Sequence, residues 1–122
     1  MTNSNSNAGK PDVLWTHLGE KELEAVTFVR DYVQLVFDNA ILTAYAVPSL
    51  ARDRDVITED TKGYADALRR LIDEKVVAAK EREDGGLELA FADGSVLRVL
   101  PDPSLPEIAM LQVGDGTVWA VW

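Results

Sequence analysis

The chain has 122 residues, 47% of them apolar, no cysteine, and 21 acidic against 12 basic side chains, for a net charge of −9. That length holds one domain with a core large enough to stand without a covalent staple. The missing cysteines exclude disulfides, thiolate metal sites and a cysteine nucleophile, and the negative field repels nucleic acid and anionic membrane, whose binders carry basic patches.

Residues 1–11, rich in Asn and Ser, are too polar for a signal peptide or membrane anchor; they are expected to form a flexible tail, leaving 12–122 as a single domain. No later run approaches the roughly 18 apolar residues of a spanning helix, so the expected compartment is the cytoplasm. Trp15 to Leu23 is a short lead-in broken at Gly19. Between Glu24 and Phe37 the β-branched and aromatic content favours strand, either one bent strand or two short ones interrupted at Asp31. A helix through Leu23, Val26, Val33 and Phe37 is the alternative. Asp38-Asn39 supplies a turn, Ala40 to Ala46 a second strand, and Pro48 ends the ladder because it has no N–H to donate. Residues 49–62 mix charges with little periodicity and are expected to form the longest loop, a natural place for binding.

Asp60 or Thr61 can cap a helix over about 63–74, in which Tyr64, Leu68, Leu71 and Ile72 form one apolar stripe. Beyond Lys75 the period moves to two. Strands are expected at 75–82, 87–91 and 95–100, joined by Asp84-Gly85-Gly86 and Asp93-Gly94. Pro101, Pro103 and Pro106 interrupt the ladder, and strands at about 107–113 and 117–122 flank Gly114-Asp115-Gly116. No internal repeat is evident. The sum predicts an α+β domain: a meandering antiparallel sheet of about six to seven strands with one helix packed on it.

Chemistry is harder to find. His17 is the only histidine, no Gly-x-Ser-x-Gly elbow surrounds Ser49, Ser95 or Ser104, and one imidazole without cysteine leaves too few ligands for zinc. Asp53-x-Asp55 with Glu59 and Asp60 faintly resembles a calcium loop, but Thr58 stands where the sharp turn needs glycine, and Arg52 and Arg54 are placed to neutralise the acids. The glycines match neither a phosphate-binding loop nor a dinucleotide fingerprint. Asp31 reads as a bulge or edge residue rather than a general base. No catalytic residue, cofactor or metal is therefore assigned. In Thr117-Val118-Trp119-Ala120-Val121-Trp122 both strand faces are apolar, so either the last strand is buried on both faces, the default reading, or one face, with Trp119 or Trp122 on it, meets another chain.

Three segments, Arg30-Asp31-Tyr32-Val33-Gln34-Leu35-Val36-Phe37-Asp38, Pro106-Glu107-Ile108-Ala109-Met110-Leu111-Gln112 and Val118-Trp119-Ala120-Val121-Trp122, stand in order around the Phe91-Ala92-Asp93-Gly94 turn. Together they resemble a family of small, uncharacterised bacterial proteins over about residues 14–122. The resemblance implies a compact α+β domain in bacterial cytosol and brings no catalytic residue with it; by class analogy, small acidic bacterial domains suggest immunity- or antitoxin-like factors.

The leading expectation is a non-enzymatic protein that binds a protein partner, a basic one by charge. The contact would use Asp53, Asp55, Glu59 and Asp60 in the acidic loop, or the strand bearing Trp119 and Trp122, which could also join two copies as a homodimer. The alternative is a small-ligand-binding domain with a pocket between helix 63–74 and the sheet, lined by Tyr64 and Phe91. A third reading, an enzyme working by carboxylates alone, needs perturbed acids in such a pocket.

Overall fold

Alternation of apolar residues buries one face of strand after strand. The computed structural model describes residues 12–122. A short helix, α1 (Val13–Leu18), leads into β1 (Leu23–Val29), β2 (Tyr32–Phe37), β3 (Ala40–Ala44), β4 (Ser49–Arg52) and β5 (Asp55–Ile57). A second helix, α2 (Tyr64–Arg69), leads into β6 (Val76–Glu81), β7 (Leu87–Phe91), β8 (Val96–Val99), β9 (Ala109–Val113) and β10 (Thr117–Val121). These strands make two five-stranded antiparallel sheets, ordered β1-β2-β3-β9-β10 (sheet one) and β5-β4-β8-β7-β6 (sheet two). Val33, Leu35 and Phe37 of β2 alternate inward, as do Leu87, Leu89 and Phe91 of β7, and both sets join one core with Leu42, Leu50, Leu97 and Leu111.

The single sheet of six to seven strands with one helix is thus corrected to a mostly-β architecture of ten strands in two sheets with two short helices. The strands expected between 24 and 46 and beyond 75 all form. What periodicity does not encode is partnership: β4 leaves β3 to pair with β8, and β9 leaves β8 to pair with β3, so the meander breaks twice. The long loop over 49–62 is also corrected, since its first part folds as the β4–β5 hairpin. The lead-in contains α1, whose first turn is capped where Leu14 N donates to Asp12 Oδ1 at 3.0 Å. Helix 63–74 shortens to α2, preceded by Gly63 with φ 84° and no side-chain cap from Asp60 or Thr61. Its stripe is buried nonetheless: Leu68 and Leu71 are fully enclosed, and Ile72 bridges to Leu23 beyond the helix end. The expected tail, 1–11, lies outside the described residues.

The order of elements exposes an internal repeat. Each half runs helix, three-stranded meander, hairpin, and each half gives its hairpin to the other's sheet: β9–β10 complete β1–β3, and β4–β5 complete β6–β8. The helices cross over likewise, α1 packing on β6 and α2 on β1. Where the halves meet, the hydrogen bonds are reciprocal. Glu20 N donates to Val76 O and Asp73 N to Leu23 O, both at 2.8 Å; Leu23 N donates to Glu74 O at 3.0 Å and Val76 N to Lys21 O at 2.9 Å. Glu20 and Asp73 both adopt positive φ, 63° and 76°, and each first strand carries a bulge at the matching place, Leu23/Ala25 and Val76/Ala78. Leu42 faces Leu111 in one sheet as Leu97 faces Leu50 in the other. In sequence the repeat survives as Val33-x-Leu35-x-Phe37 against Leu87-x-Leu89-x-Phe91 and as scattered single matches such as Ala25 with Ala78 and Leu42 with Leu97, too little to stand out.

Candidate interaction surface

Strand β10 forms one edge of sheet one, paired with β9 alone among the described residues. Its register slips between Val118, opposite Gln112, and Ala120, opposite Leu111. Trp119 is the extra residue, a bulge that lifts its side chain out of the ladder. The indole is 58% exposed and lies 4.8 Å, centroid to centroid, from the His17 ring of α1, tilted by 49°. Trp15, two residues before His17, is 40% exposed, and Gly19 makes room for it, because a Cβ there would meet the Trp15 ring at 2.6 Å. Trp15 also walls a cleft of about 420 Å³ with Val77, Ala78, Ala79, Lys80, Glu88 and Ala90.

The last strand is not buried on both faces, and neither of its tryptophans is a core residue, though their surroundings differ. Trp122 is half-buried against the core, and its Nε1 donates to Glu81 Oε1 of β6 at 2.7 Å, tying the end of sheet one to the edge of sheet two. Trp119 and His17 therefore meet beside the seam between the sheets, while Trp15, two residues from His17 on α1, faces the cleft of sheet two. Sequence reasoning missed Trp15 and Val77; the signal was Asp12 followed by Leu14 and Leu18 at four-residue spacing, a capped turn of helix.

The acidic residues Asp53, Asp55, Glu59 and Asp60 sit elsewhere. Asp53 (φ 55°) turns the β4–β5 hairpin, Asp55 opens β5, and Glu59 and Asp60 follow, all exposed at the far edge of sheet two from β6. The acidic loop and the tryptophans are thus two separate surfaces. Arg52 turns away from the loop: its Nε donates to Ser95 Oγ at 3.0 Å and its Nη2 lies 3.6 Å from Asp93.

The pocket expected between Tyr64 and Phe91 is not formed by that pair. Phe91 is sealed in the core, whereas Tyr64 lines a groove of about 290 Å³ with Phe28, Val29, Val47, Glu59 and the Arg30-Asp31 turn. The Tyr64 hydroxyl donates to Pro48 O; burial foremost, then the charge of Glu59, pushes its pKa far above the ordinary tyrosine value, so the phenol stays neutral and fastens α2 to the β3–β4 connection. Arg69 lies over the Phe28 ring at 5.2 Å.

On the outer face of sheet two, Glu88 accepts from Arg98 at 2.9 Å and Arg82 at 3.2 Å, with Lys80 at 3.8 Å. The Arg98 hydrogen bond holds the Glu88 carboxyl below its ordinary range despite partial burial. Ser95 is buried, its hydroxyl donating to Asp93 Oδ2 at 3.1 Å; His17 is engaged with Trp119 instead. Among the described residues, no group of three or more His, Cys, Asp or Glu is placed to hold a metal, and no helix is long and apolar enough to cross a membrane.

A family of unknown function (DUF6188) matches residues 15–107, the stretch from α1 through β8 that stops short of β9 and β10. Of the three resembling segments, Arg30–Asp38 lies within the match and Val118–Trp122 beyond it. No curated protein and no solved structure matches the chain.

Proposed function

The chain belongs to this family of unknown function, which confers no activity on it, and we propose that it is a non-enzymatic protein that binds a protein partner through the edge of β10 and the aromatic group beside it. The observation that carries this reading is Trp119: an indole held more than half in water by a bulge on an edge strand, flanked by His17 and by the exposed Val118 and Val121. Large aromatics so placed are the usual anchors of protein interfaces, and an edge strand adds unpaired backbone groups for a partner to meet. The charge of −9 favours a basic partner and hastens its approach. A bacterial cytoplasmic setting and an immunity- or antitoxin-like role agree with this chemistry, in which a small acidic domain covers a basic protein.

The test is recovery of a partner on the tagged protein from its native cells, followed by binding measurements with wild type and Trp119→Ala. A hot-spot anchor should weaken binding by about 30-fold or more when removed, and added salt should weaken capture of a basic partner. A partner bound equally by both forms would overturn the assignment of this edge. The alternative, small-ligand binding, rests on the cleft beside Trp15, whose size is within the range of small-molecule sites; quenching or enhancement of indole fluorescence that Trp15→Phe abolishes would favour it.

A further inference from the structure

The Trp15 ring lies against the backbone of Gly19 and overhangs the cleft of about 420 Å³ on sheet two, 40% exposed although an indole gains most from burial. The cross-strand pair Ala78–Ala90 forms the floor of that cleft, and the next pair along, Lys80–Glu88, closes one end. The internal repeat provides a control for this place. Lys21 N donates to Leu18 O as Glu74 N donates to Leu71 O, which sets α1 and α2 in register. Counted from there, the corresponding place on sheet one has the fully buried Leu68 for Trp15. It has Val36 for Ala90, and Glu24 for the exposed bulge residue Val77. Lys80, Glu88 and Arg98 cross sheet two where the uncharged Thr27, Gln34 and Thr43 cross sheet one. The shared fold therefore requires neither the overhanging indole nor the shallow floor nor the charges; they belong to the cleft.

Those charges do not cancel. Lys80, Arg82 and Arg98 share the two carboxylates of Glu88 and Asp84. Glu88 takes the arginines at 2.9 and 3.2 Å and leaves Lys80 at 3.8 Å, its side chain 63% exposed. In a chain of net charge −9, a cation with spare capacity beside an apolar cleft runs against the general surface. We propose that the cleft binds a small planar aromatic acid, its ring stacked on Trp15 over the Ala78–Ala90 floor and its anionic group on the Lys80 ammonium. An aromatic ring gains from stacking on an indole, and two alanines let it approach where larger side chains would hold it off. The anion adds a charge-assisted hydrogen bond at the one cation that its neighbours leave free to turn. The volume is near the lower end for small-molecule sites, which suits a single ring system. This rests on the small-ligand reading of the cleft and is independent of the partner edge, because Trp119 lies on His17.

Titration of the full chain with naphthoate, followed by calorimetry and by the indole N–H resonances of its tryptophans, tests it. The Trp15 resonance should move saturably while those of Trp119 and Trp122 stay in place. Naphthamide, the same ring without the charge, should bind about fivefold more weakly. Lys80→Thr and Trp15→Leu install the residues that sheet one carries at the matching places. Lys80→Thr should weaken naphthoate by about fivefold and leave naphthamide unchanged, whereas Trp15→Leu should weaken both by about fivefold. Ala78→Leu, at an exposed floor position, should block both probes, with circular dichroism reporting an intact fold. Equal affinities for the two probes, indifferent to Lys80→Thr, would overturn the acid as ligand and leave the cleft a binding site. No saturable shift at Trp15 with either probe would overturn the small-ligand reading as well.

Discussion

Leu68 keeps no surface in water and Trp119 keeps most of its own, so two large apolar side chains make opposite contributions. Leu68→Ala empties a core position and should cost about 2–5 kcal/mol in urea denaturation. Trp119→Ala removes little more than the His17 contact and should stay below about 1 kcal/mol; a loss equal to that of Leu68 would make the indole structural. Glu88 supplies a pH signature. Because Arg98 holds its carboxyl below the ordinary glutamate value of 4.5, the native state binds that proton less readily than the unfolded chain. Its stabilisation is therefore complete above the unfolded value and disappears as the pH falls through the lower native one. Glu88→Gln should be less stable than wild type at neutral pH by about 0.2–1 kcal/mol, and thermal midpoints of the two should converge in acid. A gap that persists below the carboxylate range would show that packing, not charge, holds Glu88.

Turns and bulges are where the elements depended on more than alternation. Asn39 (φ 59°) and Gly94 (φ 92°) occupy matching turns of the two halves, and each residue suits the left-handed region. Gly94→Asn should accordingly cost less than about 0.5 kcal/mol, whereas Gly94→Val should cost about 1–2 kcal/mol, as chemical denaturation would read; equal losses would deny the equivalence. Most strands were legible because their buried residues alternate and Asp-Gly or Asp-Asn turns separate them. The β4–β5 hairpin was not, because Arg52, Asp53, Arg54 and Asp55 give a short edge strand the composition of a loop. Helix α2 was read too long because Ile72 continues its stripe from a bridge rather than from a helical turn. The apolar character of both faces of 117–122 came from the bulge at Trp119, which shifts the alternation by one residue. Of the candidate site, the tryptophans could be picked out in sequence, and α1 had its own local signal; that α1 lies beside Trp119 and that the acidic loop lies far from it could not be read, since both depend on which strands pair.

At the level of the whole molecule, the exchange of hairpins makes either half incomplete by itself. Sheet one without β9 and β10 exposes the edge of β3, and sheet two without β4 and β5 exposes that of β8. Fragments 12–60 and 61–122, cut in the connection before α2, should each lack stable β structure alone and regain it when mixed, as circular dichroism would report. A half that folds by itself would show that the two sheets are separable units. In the intact chain, amides of Leu35 and Leu42 should exchange with solvent at the same free energy as those of Leu89 and Leu97, because the sheets share one core.

The exchange also sets an order of events on the ribosome. Sheet two has β4 and β5 waiting before β6 to β8 are made, so all its strands exist once β8 has left the exit tunnel. Sheet one has no such advantage: Ala109, the partner of Ala44, is 65 residues further along the chain, roughly 3–13 s of synthesis at about 5–20 residues per second. Throughout that interval the uncharged strand Ala40-Ile41-Leu42-Thr43-Ala44 presents a naked edge, and a nascent chain stalled before β9 emerges should recruit chaperones far more strongly than one stalled after β10.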